Sequence, residues 1–192
     1  MKFISARKIV LEKPLSELDQ LVLRFVNIVQ KYTSYVIISG YVAILLGRSR
    51  GTEDVDLFVK KMSFEDFMLF YTDLKNEGFW CLNADDVKEI YSYLVDGLAV
   101  RFAINGETIP NFEVKFALKP IQLVTFDDCI EVVTEQGVII ISSLERQIAF
   151  KRYYLMSDKD LEDAKHVEEV FKGHIDVEKI KKYKVFLENY NE

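Results

Sequence analysis

The segment from residue 35 to residue 59 constrains the fold of this chain more than any other part of it. It reads YVIISGYVAILLGRSRGTEDVDLFV. Its first four residues are β-branched or aromatic, which is typical of a buried strand, and the small pair Ser39-Gly40 ends that strand where a helix could begin. The apolar residues 41–46 then predict a short helix, and the alternating residues 54–59 predict a second strand. The segment therefore predicts a compact unit of strand, helix and strand.

The second strand of this unit carries two aspartates, Asp54 and Asp56, which strand alternation places on one face. Carboxylate oxygens are the ligands that hard cations such as Mg²⁺ prefer, and Mg²⁺ keeps open positions for substrate phosphates. The turn at Ser39 and Gly40 offers backbone N–H groups at a helix N-terminus, which are suited to hold a phosphate. The alternative is that both aspartates belong to the solvent-exposed face of an edge strand.

The order of these residues follows a longer pattern, S-G-x6-G-x2-R-x-T-x-D-x-D, which begins at Ser39 and ends at Asp56. This spacing resembles the signature of the DNA polymerase beta-like nucleotidyltransferase superfamily, and within it the minimal, abortive-infection-toxin-like prokaryotic branch. Family members usually have Gly-Gly or Gly-Ser at the turn, so the order of the small pair differs here. The resemblance implies an α+β chain with the minimal nucleotidyltransferase fold, in which helices pack on a mixed, twisted sheet. It also implies Mg²⁺ or Mn²⁺ as the cofactor and an NTP as the donor substrate.

The resemblance also implies which residues form the site. The family takes a third acid from a later strand, and Glu113 is the acid that points outward from an otherwise apolar strand, although the family more often has Asp there. For Glu113 the alternative is a solvated strand face, in which case Asp96 is the next candidate. The implied set consists of Asp54, Asp56 and Glu113 as catalytic and metal-binding residues, with Ser39, Gly40, Arg50 and Lys151 as nucleotide-binding residues.

Hydrophobic periodicity predicts further helices and strands along the chain. It also predicts that the last part of the chain is almost entirely helical. From residue 143 onward the sequence has helical periodicity and almost no strand signal. We therefore expect a nucleotidyltransferase domain at 1–142 and a C-terminal helical region at 143–192. Within the first domain the predicted helices lie at 16–32, 63–78 and 85–94, and the further strands at 79–82, 98–104, 111–118, 129–134 and 138–142.

The composition of the chain indicates which ligands it is not expected to bind and in which compartment it is expected to occur. The net charge of −6 argues against a surface built mainly to bind nucleic acid, because that affinity comes largely from Lys and Arg. The two cysteines, Cys81 and Cys129, sit among apolar residues and are too few for a zinc site. The sequence contains no apolar run long enough to cross a bilayer. These observations predict a cytoplasmic protein with reduced thiols and no membrane contact.

The expected activity is transfer of a nucleoside monophosphate from an NTP to an acceptor, which the sequence leaves open between a protein, a tRNA end and a small molecule. The alternative is a non-catalytic nucleotide-binding sensor or a toxin–antitoxin partner protein, with an antitoxin as candidate partner. The off-pattern Ser39 and Glu113 support that alternative. Retention of both Asp54 and Asp56 counts against it, because two adjacent carboxylates repel each other when nothing binds between them.

Overall fold

The computed structural model describes residues 1–190, and within them the strands form one mixed sheet. The strand order across this sheet is β1-β2-β8-β9-β3-β4-β7-β6-β5. The strands are β1 (Lys2–Ser5), β2 (Lys8–Val10), β3 (Tyr35–Ile37), β4 (Asp54–Val59), β5 (Phe79–Cys81), β6 (Val100–Ile104), β7 (Asn111–Phe116), β8 (Ile130–Thr134) and β9 (Gly137–Ile141).

The described residues also contain eight α-helices, which confirms the predicted α+β class. They are α1 (Glu17–Val29), α2 (Ser39–Leu45), α3 (Phe64–Asn76), α4 (Val87–Val95), α5 (Pro120–Leu123), α6 (Leu144–Phe150), α7 (Asp158–Val170) and α8 (Val177–Tyr190). A 3₁₀ turn at Val124–Phe126 follows α5, and a π-helix at Lys151–Leu155 follows α6. None of the helices among residues 1–190 is both long and apolar enough to span a membrane.

One face of the sheet is covered by helices that begin where the sequence predicts. The Ser16 side chain accepts a hydrogen bond from the Asp19 N–H and so caps α1, while Ser63 caps α3 in the same way. The ring of Phe25 on α1 stacks on that of Phe112 on β7, with the ring centroids 3.9 Å apart. Because these rings are buried, they anchor the helical layer to the middle of the sheet.

The opposite face of the sheet centre carries the polar residues. Strand β4 lies between β3, which is antiparallel to it, and β7, which is parallel to it. In β4 the side chains of Val55, Leu57 and Val59 are buried on the helical side, so the alternate residues of the strand face the other way. The parallel register sets Asp56 directly beside Glu113.

The first strands of the chain were not predicted. Strands β1 and β2 are three or four residues long and contain Lys2 and Lys8, so they have no apolar alternation to reveal them. Their place in the sheet comes from a distant partner, because β2 pairs in parallel with β8 through the register Lys8↔Glu131. The short helix α5 was also missed.

The chain after β9 turns into the last three helices. Ser142 and Ser143 are buried at the turn, and α6 packs against both α7 and α8. Helix α7 in turn contacts α2, the helix that follows the Ser39-Gly40 turn. The last helices therefore approach the unit of strand, helix and strand at residues 35–59.

Candidate functional site

Three acids occupy neighbouring positions on the open face of β4 and β7. Asp54 and Asp56 alternate along β4, and Glu113 is the register partner of Asp56. Burial, and then the charges of Asp54 and Glu113, raise the pKa of Asp56 to about 6 against the opposing effects of Lys115 and the Ser39 hydroxyl. The raised pKa means that negative charge converges on Asp56 and is only partly neutralised by the protein.

Glu113 is held by two cations. Its Oε2 accepts from Nη2 of Arg101 at 2.7 Å, and its Oε1 accepts from Nζ of Lys115 at 2.7 Å. Burial acts to raise the pKa of Glu113, but the hydrogen bonds and charges of Lys115 and Arg101 outweigh it and hold that pKa below its ordinary value. Both carboxylate oxygens are thus engaged. Strand alternation in the sequence predicts that Lys115 lies on the same face as Glu113, whereas the contact between Glu113 and Arg101 was not predicted.

The contact between Glu113 and Arg101 depends on strand register. Strands β6 and β7 are antiparallel neighbours, and their register sets Arg101 directly opposite Glu113. A two-residue turn at Asn105 and Gly106 would set Arg101 opposite Pro110 instead, so the turn pair does not predict this contact. The other candidate for a third acid, Asp96, is the C-cap of α4 and lies outside this group of strands.

The loop before β4 is shaped by Thr52. Its Oγ1 donates to the main-chain oxygen of Asp54 at 2.9 Å and lies 3.3 Å from the Asp54 Oδ1. Thr52 therefore fixes the start of β4 and the orientation of the first acid.

The turn between β3 and α2 has an unusual backbone. Ser39 has φ 59°, in the left-handed region that residues with a side chain seldom adopt. At Gly40 an added Cβ would lie 1.8 Å from Nη2 of Arg50. Only glycine can occupy that position while the guanidinium stays where it is, so Gly40 and Arg50 form one closely packed unit.

Behind this turn lies a charge cluster formed by Arg48, Arg50, Lys151, Asp160 and Asp163. Asp163 is fully buried, and its Oδ2 accepts from Nζ of Lys151 at 3.0 Å. Arg50 Nη1 lies 3.5 Å from the same oxygen, and Lys151 also donates to Asp160 at 3.1 Å. The Lys151 side chain is only 2% exposed, so it is buried in the cluster and not solvated on the face of its helix.

The charge cluster contains three cations and two carboxylates, with Arg48 also pairing with the exposed Glu162. Arg48 Nε and Asp163 Oδ1 lie 3.5 Å apart, so they form an ion pair without the geometry of a hydrogen bond. Within the described part of the chain, Nε of Arg50 is also buried without a hydrogen-bond partner. The guanidinium of Arg50 is the part of the cluster that lies directly against Gly40.

The donor chemistry of the acids fits a hard cation at Asp54 and Asp56. All three side chains offer oxygen ligands, and the raised pKa of Asp56 shows charge that a cation would neutralise. Residues 1–190 contain no group of three His, Cys, Asp or Glu side chains already placed to hold a metal ion. Each Glu113 oxygen accepts one hydrogen bond and keeps a lone pair through which it could join such a site.

The fold of this chain resembles the folds of several solved structures. No family model matches the sequence, and no curated protein matches it. Among solved structures, the antibiotic-resistance factor ANT(2'')-Ia in solution matches with a TM-score of 0.56 and 15% identity, over 91% of each chain. The same factor in complex with adenylyl-2''-tobramycin matches with a TM-score of 0.55 and 15% identity, over 91% of this chain and 97% of that one.

A third structure is an antigenic nucleotidyltransferase-like protein from Paracoccidioides brasiliensis, with a TM-score of 0.53 and 15% identity over 93% of this chain and 91% of that chain. The chain shares the fold of these three structures. The likeness confirms the expectation of a nucleotidyltransferase-like α+β architecture. The assignment to the minimal, abortive-infection-toxin-like branch stays a prediction.

Proposed function

We propose that this protein transfers a nucleoside monophosphate from an NTP to an acceptor with the help of Mg²⁺ or Mn²⁺. The observation that carries the proposal is the convergence of Asp54, Asp56 and Glu113 beside the turn at Ser39 and Gly40. Burial, and then the charges of Asp54 and Glu113, raise the pKa of Asp56, and the guanidinium of Arg50 packs on the nearby turn, so the group is suited to bind a metal–triphosphate complex.

Each residue has a role in this proposal. Asp54 and Asp56 would hold the metal, which when bound would neutralise charge on the phosphates and on the entering and leaving oxygens. The backbone at Ser39 and Gly40 would seat the triphosphate, and the guanidinium of Arg50, packed on Gly40, would neutralise its β- and γ-phosphates. Lys151 would act indirectly, because it pairs with Asp163, the same carboxylate with which Arg50 pairs.

The reaction itself is an in-line displacement. The acceptor hydroxyl oxygen bonds to the α-phosphorus, and the bond from that phosphorus to the leaving pyrophosphate breaks. One of the carboxylates on β4 takes the hydroxyl proton.

Glu113 would complete the set through a lone pair that its present partners leave open. Arg101 and Lys115 stabilise its charge with hydrogen bonds of 2.7 Å each. The same two contacts favour the second candidate function, a non-catalytic nucleotide sensor or toxin–antitoxin partner, because they neutralise Glu113 without any metal. The two candidates differ in whether Glu113 contacts the metal when the metal–nucleotide complex binds.

The finer assignments rest on the sequence pattern. We infer a minimal nucleotidyltransferase domain at 1–142 and a C-terminal helical region at 143–192 that helps to close the cleft. The acceptor classes are a protein, a tRNA end and a small molecule, and the ANT(2'')-Ia structure with adenylyl-2''-tobramycin supports including the last. We further infer a cytoplasmic location and, under the second candidate function, an antitoxin partner.

The decisive experiment incubates the protein with each of the four NTPs, labelled at the α-phosphate, together with Mg²⁺ and a cell extract fractionated into protein, RNA and small molecules. Label should appear in one fraction with wild-type protein and fall at least about tenfold with Asp54→Asn, which corresponds to 1.4 kcal/mol or more of transition-state stabilisation. Absence of label from all three fractions, with nucleotide binding intact, would instead favour the sensor.

A further inference from the structure

Beyond the acids of β4, the same face of the sheet carries two exposed cations. Glu113 and Lys115 alternate along β7 on the face of Asp56, and register adds Arg101 of β6 opposite Glu113. The side chains of Arg101 and Lys115 are 49% and 36% exposed, so this part of the face is open to solvent. We call the side of β5, β6 and β7 that carries Arg101 and Lys115 the open face.

The only tryptophan of the chain lies on the open face as well. Trp80 on β5 is the register partner of Ala103, which lies two residues from Arg101 along β6. Such diagonal neighbours are about 7–8 Å apart, within reach of an aromatic and a long side chain. The indole Nε1 donates to the main-chain oxygen of Glu107 at 2.9 Å, which restrains the ring, and Trp80 is only partly buried. The open face therefore offers an aromatic surface on which a flat ring could stack.

The two cations keep hydrogen-bond donors that Glu113 does not use. Within the described residues, the Arg101 side chain donates only from Nη2, to Glu113 Oε2, and the Lys115 ammonium donates only to Glu113 Oε1. A guanidinium and an ammonium each carry several N–H donors, so the others can serve a ligand. Guanidinium pairs bidentately with phosphate, and ammonium adds a point charge. A phosphate could thus bind beside the metal-binding acids.

The spacing across the strands suits a single nucleotide. Neighbouring strands lie about 4.8 Å apart, so two strand spacings, or about 10 Å, separate the strand of Glu113 from that of Trp80. Arg101 lies on the strand between them. A nucleotide whose ribose hydroxyl lies at the acids can bridge this distance with its base towards Trp80 and its phosphate beside Arg101.

Charge narrows the class of acceptor further. An acceptor that carries ammonium groups would meet two cations of the same sign on the open face, and juxtaposed like charges act against binding. The net charge of −6 also makes the chain a poor partner for a long nucleic acid, whose affinity depends on many Lys and Arg contacts. Recognition of one or a few nucleotides needs only the few contacts that the open face provides.

We propose that the acceptor is a nucleotide, either free or at the 3′ end of an RNA strand, with its phosphate on Arg101 and Lys115 and its base stacked on Trp80. The inference rests on the proposed function, since it takes the metal-binding acids as given. The ribose hydroxyl oxygen bonds to the α-phosphorus of the NTP, pyrophosphate leaves, and the hydroxyl proton passes to a carboxylate on β4. The product is a phosphodiester between the two nucleosides.

The single tryptophan makes acceptor binding measurable in the full-length wild-type protein. Its fluorescence is followed while a ribonucleoside monophosphate or a trinucleotide RNA is added, with Mg²⁺ and an NTP analogue whose α,β-bridge is a methylene group in the donor site. At least one of the two should quench the emission saturably, because a stacked base contacts the indole, and ribose 5-phosphate, which has no base, should not. The ligand that quenches tells a free nucleotide from an RNA end. Saturable quenching by neither would overturn the proposal.

Arg101→Gln tests the phosphate contact by a ratio, because Arg101 also supports Glu113. In the wild type, the acceptor KM of a nucleoside should be at least about tenfold above that of its monophosphate, and in Arg101→Gln this difference should fall below about threefold. An effect through Glu113 alone would slow turnover with both acceptors and leave the ratio unchanged, which would contradict the proposal. Lys181→Gln, at an exposed cation on α8 that also pairs with a glutamate, is the matched control and should leave the ratio unchanged.

Trp80→Ala should raise the acceptor KM about tenfold, because base–aromatic stacking has that size, and Trp80→Phe should restore most of the loss. The KM of the NTP should change by less than about twofold in both variants. Transfer of α-label only to a protein or to a neutral small molecule would overturn the acceptor class and leave nucleotidyl transfer intact. Saturable quenching without transfer to any acceptor would instead refute the proposed function.

Discussion

Replacing Asp56 by Asn should stabilise the metal-free protein, because it removes one of the converging charges on β4. Burial and the neighbouring carboxylates raise the pKa of Asp56 to about 6 from an ordinary 3.8. The folded protein therefore binds this proton more tightly than the unfolded chain does. Between these two pH values the fold loses stability as the pH rises, since the folded state must hold a carboxylate that its surroundings disfavour.

The rise in the pKa of Asp56 corresponds to about 3 kcal/mol of unfolding free energy. The protein loses this full amount above pH 6. It loses none of it near pH 3.5, where Asp56 is protonated in both the folded and the unfolded state. An asparagine side chain retains a hydrogen-bond acceptor for Ser39, so most of this gain should survive the substitution. For a chain of this length, about 2–3 kcal/mol raises the Tm by about 5–10 °C.

The assay is thermal unfolding in EDTA between pH 4 and pH 8, with Asp127→Asn as a control that changes the charge equally at an exposed position. Asp56→Asn should gain stability over wild type progressively as the pH rises, and the control should not. Adding Mg²⁺ and NTP should then reverse the order, because only the wild type keeps the full ligand-induced shift. Equal Tm values at pH 8 without metal would refute the claim that the acids repel one another.

Three further variants test other parts of the site. Gly40→Ala places a Cβ 1.8 Å from a guanidinium nitrogen, so it should lower NTP affinity at least about tenfold in calorimetry, whereas Gly51→Ala, with no atom within 4 Å, should not. Asp163→Asn removes the fully buried carboxylate that Arg48, Arg50 and Lys151 share and should cost about 3–5 kcal/mol in urea unfolding, against less than about 1 kcal/mol for the exposed Glu169→Gln. Glu113→Gln should slow turnover far more than it weakens NTP binding, and unchanged turnover would move the third acid elsewhere.

The sequence was sufficient to predict the elements that local patterns define. The strand, turn and helix around Ser39, the alternation in β4 and the caps of α1 and α3 were all foreseen, because each depends on residues a few positions apart. Strands β1 and β2 were missed for the opposite reason. They are short and charged, and β2 is held by pairing with β8, more than a hundred residues away.

The charge cluster also depends on contacts between residues that are far apart in the sequence, which local patterns do not reveal. A lysine on a helix is usually solvated, and nothing in the local sequence indicated that Lys151 would be buried. Its burial depends on Asp163, twelve residues later, which itself is fully enclosed. The pairing of Glu113 with Arg101 also depends on strand register, which periodicity alone does not fix.

The most direct test of nucleotidyl transfer follows the two ends of the triphosphate separately. Purified protein, Mg²⁺ and an acceptor fraction are incubated with an NTP labelled either at the α-phosphate or at the γ-phosphate. The wild type should move the α-label onto the acceptor and release the γ-label as pyrophosphate in equal amount, and Asp54→Asn and Asp56→Asn should do neither while remaining folded by circular dichroism. Appearance of the γ-label on the acceptor, or α-label transfer by either variant at the wild-type rate, would contradict the account.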